Sequence, residues 1–263
     1  ASLDVMKDFA EKHTNIKLVN VKTIETFWGN KKYALTLGIK ASKSDFLIFT
    51  DADCQPNSSE WLSHISSNFS KSIVLGYGAY AKKRFSFLNK LIRFETVMTA
   101  LQYFSYANLG MPYMGVGRNM AYRKELFFNN SGFNSHMKLK SGDDDLFINK
   151  VSDNKNTSTC FTKESFTISE PKTSFKSWIL QKRRHISTAK FYKPLHQFLL
   201  GLFYASQLLF WLLAIVLLVL GYRWEWLVTL IALRFASVLE LFLILTQLSI
   251  FILNLISKPK HWK

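Results

Sequence analysis

The chain has 263 residues, enough for one domain of about 150–200 residues and an appendage. Its 34 Lys and Arg against 18 Asp and Glu give a formal charge of +16 with 15% aromatics. That balance is unusual for a cytosolic enzyme and asks for an anionic partner, whether nucleic acid, an anionic membrane face or a phosphorylated substrate. Two cysteines, Cys54 and Cys160, exclude a disulfide framework and a cysteine-based metal site.

The opening ASLDVMKDFAEKHTNIKLVNV has no initiator Met and no long apolar segment, so it reads as the interior of a domain. Residues 3–13 predict a helix with Leu3, Met6, Phe9 and Ala10 on one side, and residues 16–21 (IKLVNV) a strand. GNKKYALTLGIKAS predicts a turn and then a helix carrying Ala34, Leu35, Leu37 and Ile39. DFLIFT is a short continuous apolar run, the pattern of a central parallel strand covered on both faces. SSEWLSHISSNF predicts a helix with Ser58 or Ser59 as its cap, and SIVLGYGAY another strand. Residues 84–107 predict an amphipathic helix, aromatic on one side, that either lies against the membrane or packs on the sheet, with packing near the interface the favoured alternative. VGRNMAYRKELFFNNSGF predicts a strand, a helix and a turn; SGDDDLFINKV starts a helix behind three acids; residues 152–160 read as a loop inside the domain. The alternation implies an α/β domain, whose ligands sit at the carboxyl ends of strands.

The composition changes at Pro194. Residues 195–220 carry no charge and are long enough to cross a hydrocarbon core of about 30 Å. After Gly221, Tyr222 and Arg223, a second span is expected to start near Trp224, with its end left open, because residues 224–256 as one helix would run about 50 Å. Lys172, Lys176, Lys182, Arg183, Arg184, Lys190 and Lys193 precede the first span, and Lys258, Lys260 and Lys263 follow the last. Positive flanks belong on the cytoplasmic side, which puts the catalytic domain in the cytoplasm and the chain, multi-pass, in the inner or plasma membrane. Because the basic residues gather beside the spans, a lipid-facing role accounts for the charge, and no nucleic-acid partner is expected.

The chemistry begins at Asp51-Ala52-Asp53, at the end of the DFLIFT run. In an extended chain residues i and i+2 face the same side, so the two carboxylates converge and favour a cation between them. Their hard oxygens suit Mg2+ or Mn2+, leaving coordination positions for phosphate oxygens. A solvated turn explains the motif about as well when it is taken alone. SGDDDLF adds Asp143, Asp144 and Asp145 at a helix start, where a dipole-complementing role accounts for one acid more readily than three. QKRRH places Gln181 and Arg184 on neighbouring turns just before the membrane, where a positive-inside cluster is the plainer explanation. GNKKYAL puts Lys31 and Lys32 where a strand gives way to a helix, a place where phosphates bind.

In this order and ahead of membrane spans, these motifs resemble the membrane-bound family 2 glycosyltransferases, relatives of cellulose and hyaluronan synthases and ceramide glucosyltransferase. The resemblance covers roughly residues 2–220. It implies an incomplete GT-A, Rossmann-like nucleotide-sugar-binding domain over residues 1–170. An amphipathic interfacial segment follows at 171–194, then transmembrane helices at 195–257 and a basic tail at 258–263. It implies that Asp51 and Asp53 bind the donor diphosphate through Mg2+ or Mn2+, and that Asp143 or Asp144 is the general base, with Asp145 a weaker choice. Lys32, Gln181 and Arg184 become further nucleotide-sugar contacts. The reaction implied is inverting transfer from a nucleotide-sugar, a UDP-sugar foremost, to a lipid or glycan acceptor at the cytoplasmic membrane face. The alternative is a degenerate, non-catalytic membrane scaffold. Two departures stand out. His185 replaces the Trp of the Q-x-x-R-W motif. The family's opening strand–helix unit with its Pro-x-x-Asn-Glu sequence has no counterpart here, so the resemblance implies a truncated nucleotide site and a fragment inactive by itself.

Overall fold

The computed structural model describes residues 2–21, 30–236 and 252. The elements run, in chain order, α1 (Ser2–Lys12), α2 (Asn30–Ala41), β1 (Phe46–Phe49), β2 (Cys54–Pro56), α3 (Trp61–Ser67), β3 (Ile73–Leu75), β4 (Gly78–Tyr80) and α4 (Phe87–Asn108). They continue with β5 (Met120–Arg123), α5 (Lys124–Asn129), α6 (Asp145–Val151), β6 (Thr157–Thr159), β7 (Thr167–Ser169), α7 (Phe175–Ile186), α8 (Pro194–Val219) and α9 (Trp224–Ala236).

Two small sheets organise the α/β part. The first has the order β1-β5-β3-β6, and the second β2-β7-β4. The chain passes from the first sheet to the second at β1–β2, β3–β4 and β6–β7, and the first two of these passages are the shortest. It leaves β1 through residues 50–53 to enter β2, and it leaves β3 through Gly76 and Tyr77 to enter β4. The second crossing needs a residue without a side chain, since a Cβ on Gly76 would lie 2.6 Å from the Asn119 Cγ. Asn119 is fully buried and ties the crossing together, donating to the Tyr77 and Ser165 carbonyls at 3.0 and 2.7 Å and accepting from the Trp61 indole at 3.2 Å.

Several expectations change here. Residues 16–21 form no strand. SIVLGYGAY is two strands in two sheets rather than one, divided at Gly76. β1 pairs antiparallel with β5 and, among the described residues, lies at the sheet edge rather than at its centre, with Phe46 42% exposed. A short apolar run does not distinguish these cases, because its aromatic members can be covered by neighbours other than strands. Here Phe46 packs on Phe69 and under the Arg123 guanidinium. The stretch 152–160 is a turn followed by β6, which joins the first sheet parallel to β3.

The core lies between the first sheet and the helices over it. Ile73, Leu75, Met120 and Tyr122 of the sheet pack with Tyr103 of α4 and Phe147 and Ile148 of α6. The 22-residue α4 therefore packs on protein, as expected, with Leu88, Leu91, Ile92, Thr96, Ala100 and Tyr103 buried and the Tyr103 hydroxyl donating to the Gly76 carbonyl at 2.7 Å. A second cluster, Leu88, Leu91, Ile92 and Trp178, docks α7 onto α4, and the Lys182–Glu95 ion pair lies on the same contact.

Beyond α7 the character changes. α8 has Pro194 in its first turn, where the missing N–H costs nothing, and it is the one helix among the described residues long and apolar enough to cross a membrane, with mean hydropathy 2.3. Leu195, Phe198, Leu202, Leu212 and Ile215 along it are exposed. The second apolar stretch begins as expected with α9 at Trp224; its continuation past Ala236 and the basic tail at 258–263 lie outside the described residues.

Trp178 is 1% exposed and is the largest side chain joining α7 to the domain. Trp178→Ala should cost about 3–5 kcal/mol and expose α7 to limited proteolysis, whereas Trp178→Phe should keep it docked. Equal protease resistance of the Ala variant and the parent would refute this docking.

Candidate active site

The Asp51-Ala52-Asp53 motif sits at the first crossing between the sheets. It is a turn, not extended chain, closed by the Cys54 N–H donating to the Asp51 carbonyl at 3.0 Å. The alternation rule for extended chain therefore does not apply to the two carboxylates. Asp51 turns toward α2, where its Oδ1 accepts from the Lys31 Nζ at 2.9 Å, while Asp53 stays exposed. Among the described residues no group of three or more His, Cys, Asp or Glu side chains gathers to hold a metal by itself.

The same Lys31 ammonium lies 2.8 Å from Asp143 Oδ2. The motif at the sheet crossing and the acids ahead of α6 are thus joined through one cation. Asp143, Asp144 and Asp145 follow Gly142, whose φ of +97° suits glycine, and a Cβ there would strike Leu146 Cδ1 at 2.5 Å. The three acids then diverge. Asp143 faces Lys31. Asp144 is the N-cap of α6, with Oδ1 accepting from the Asp145 N–H and Oδ2 from the Gly117 N–H, both at 2.8 Å. Asp145 turns to the other side. Its Oδ2 accepts from the Thr188 and Tyr192 hydroxyls, the latter at 2.8 Å, and its Oδ1 from the Leu146 N–H. Burial pushes the Asp144 carboxyl up to about 7, with Asp143 and Asp145 adding to the shift. Burial also raises Asp145, against the pull of its two hydroxyl donors.

The two lysines of GNKKYAL part in the same way. Lys32 shares the helical stripe of Leu35 and Ile39 and is directed inward, only 1% exposed. Its ammonium donates to the carbonyls of His136, Leu139 and Ser141 at 2.9, 2.7 and 2.6 Å, which uses all three of its protons. Burial lowers its pKa to about 8, opposed by the neighbouring acids. Lys32 thus braces the loop that leads into the acids, and the lysine that reaches them is Lys31. The signal that separates the two was present in the sequence, in the three- and seven-residue spacing from Lys32 to Leu35 and Ile39.

From α7, Gln181 donates to the Tyr80 hydroxyl at 3.3 Å, at the end of β4, and the Tyr80 ring lies under the Arg118 guanidinium at 4.3 Å. Arg184 is half-buried, and burial lowers its pKa against the attraction of Asp143, Asp144 and Asp51, so its charge belongs to the same cluster. His185, the departure from the resembled motif, is exposed, with Nε2 3.5 Å from an Arg184 nitrogen. The structure therefore brings together Asp51, Asp143, Asp144 and Arg184, adds Lys31 to them, and sets Lys32 and Asp145 behind them as supports. Thr188 and Tyr192, which anchor Asp145, carry no motif that would have marked them.

The folded chain retains a proton on Asp144 above the group's ordinary value of 3.8. That stabilisation is complete below about pH 4 and is lost as the pH rises through about 7. Thermal unfolding followed from pH 4 to 8 should show this loss in the parent chain and a flatter profile in Asp144→Asn.

Glycosyl transferase family 2 matches over residues 1–128. No curated protein matches the chain. Among solved structures, a mannosyltransferase, PcManGT, from Pyrobaculum calidifontis in complex with GDP-Man and Mn2+ is similar at 15% identity and a TM-score of 0.50. The similarity covers 70% of this chain and 48% of that one, so the chain spans about half the length of the structure it matches. At that identity the likeness shows the fold, a mixed α/β fold of GT-A type. The family match covers residues 1–128, just under half of the chain, and the structural likeness adds the fold alone.

Proposed function

We propose that the chain carries out inverting transfer of a sugar from a nucleotide-sugar, a UDP-sugar foremost, to a lipid or glycan acceptor at the cytoplasmic face of a membrane. The observation that carries this reading is the convergence on Lys31 of Asp51, from the sheet crossing, and Asp143, from the loop ahead of α6, with Arg184 beside them.

A divalent cation fits the donor set. Asp53 is exposed and the Asp51 side chain is one-third exposed, both offer hard oxygens, and Mg2+ or Mn2+ is commonly held by one or two carboxylates with the remaining positions filled by phosphate and water. PcManGT, with GDP-Man and Mn2+ bound, supports this donor and metal class. When bound at Asp53 and Asp51, the cation would supply Lewis-acid stabilisation of the departing diphosphate. Asp143 accepts the proton of the acceptor hydroxyl as its oxygen bonds to the anomeric carbon, and the bond from that carbon to the phosphate oxygen breaks on the opposite side, so the configuration inverts. Arg184, whose charge is attracted by Asp143, Asp144 and Asp51, would supply a fixed positive charge to the leaving group. The diphosphate contact expected of Lys32 passes to Lys31, because the Lys32 ammonium is already satisfied by three carbonyls.

The acceptor side rests on α8. Its length and hydropathy suit a membrane span, and the basic residues ahead of it set the α/β domain on the cytoplasmic side. α9 begins a second span in this multi-pass reading. An acceptor with a membrane-bound portion then meets the site from the α7–α8 side.

The test is a donor screen on the full-length protein in detergent with Mg2+ or Mn2+, following release of nucleoside diphosphate. Turnover of at least one sugar nucleotide is expected, and Asp53→Asn should lower it by about 100-fold or more, the scale of losing one charge-stabilising group. Absence of turnover with every donor, or full turnover by Asp53→Asn, contradicts the reading.

A further inference from the structure

Lys31 is held by two carboxylates that the proposed function assigns to different halves of the reaction. Its Nζ lies 2.9 Å from Asp51 Oδ1, on the donor side, and 2.8 Å from Asp143 Oδ2, the proton acceptor. Two carboxylates brought to one ammonium would repel each other without it, and Asp143 is buried enough that its charge needs a partner. We propose that Lys31 is a built-in cation that competes with the divalent metal for the Asp51 carboxylate, so that arrival of the metal and donor diphosphate displaces the ammonium and unpairs Asp143.

Three features support the exchange. The metal and the ammonium seek the same Asp51 carboxylate, and a second positive charge within a few ångströms opposes the first. The Lys31 side chain is 51% exposed on a flexible stem, so it can leave, whereas Lys32 beside it is fixed by three carbonyls. The incoming diphosphate offers the displaced ammonium a new anionic partner beside the old one. The consequence is an order of events, since the proton acceptor is released by the donor and becomes available to the acceptor hydroxyl only once the sugar is in place.

The inference rests on the nucleotide-sugar reading with its metal at Asp53 and Asp51, and its test separates the two. Binding of Mn2+ alone, without nucleotide, is measured by calorimetry or by the loss of the free-ion paramagnetic resonance signal, on the full chain in detergent. Lys31→Met is expected to bind Mn2+ about tenfold more tightly than the parent, because the competing charge is gone. Lys31→Arg, which keeps the charge, is expected to bind like the parent. Asp53→Asn is expected to weaken binding in both the parent and the Lys31→Met background. If Lys31→Met binds no more tightly while Asp53→Asn still weakens binding, the competition is overturned and the metal site stands. If Asp53→Asn leaves Mn2+ binding unchanged in both backgrounds, the metal site and the competition fall together.

Discussion

Three consecutive carboxylates enter the protein at one turn ahead of α6, and the rest of the site follows from how their charges are compensated. Buried acids are costly unless each finds a partner. No single cation could serve all three, because successive side chains at a helix start point in different directions. The chain supplies three answers. Asp143 meets the Lys31 ammonium, Asp144 takes the backbone N–H groups of Gly117 and Asp145, and Asp145 takes the hydroxyls of Thr188 and Tyr192 with the Leu146 N–H. Each answer draws in a different part of the molecule: α2, the loop before β5, and the connector between α7 and α8. A requirement of solvation becomes a convergence of elements distant in sequence.

The same division links the site to the apolar helix. Asp145 holds the connector at residues 188 and 192. One turn further along α6, the Asn149 Oδ1 accepts from the Lys193 N–H at 2.8 Å, just before α8. α6 therefore carries the acids at its start and is pinned along one side to the root of the helix proposed to span the membrane. Trp178 fixes the preceding α7 to α4 in turn. The placement of α8 and that of α6 are tied together by these contacts.

Much of this was legible in the sequence, and what was not has physical reasons. The α/β class, the long α4, α6 behind its acids and α8 ahead of α9 follow from periodicity and composition, because these segments are long or strongly patterned. Strand pairing was harder. FLIF reads as a central parallel strand, yet it is paired antiparallel at an edge, because aromatic packing and a stacked Arg123 cover it as a neighbouring strand would. The Asp51-Ala52-Asp53 motif reads as extended chain, and it is a turn because the backbone changes sheets there. Lys32 lies on the apolar stripe of Leu35 and Ile39, and that spacing separates it from the outward-facing Lys31. The three acids were found as a group, but their separate roles depend on Gly117, Thr188 and Tyr192, whose proximity only the fold creates.

The central claim is that the acids divide their labour, with Asp143 taking the proton while Asp144 and Asp145 hold the architecture. Single-turnover sugar transfer by Asp143→Asn, Asp144→Asn and Asp145→Asn, each with its unfolding temperature, tests it most directly. The account predicts that Asp143→Asn keeps its unfolding temperature and loses about 100-fold or more in the rate of chemistry, whereas the Asp144 and Asp145 variants change chiefly in stability. Loss of chemistry in Asp144→Asn at unchanged stability, with Asp143→Asn still active, would contradict it.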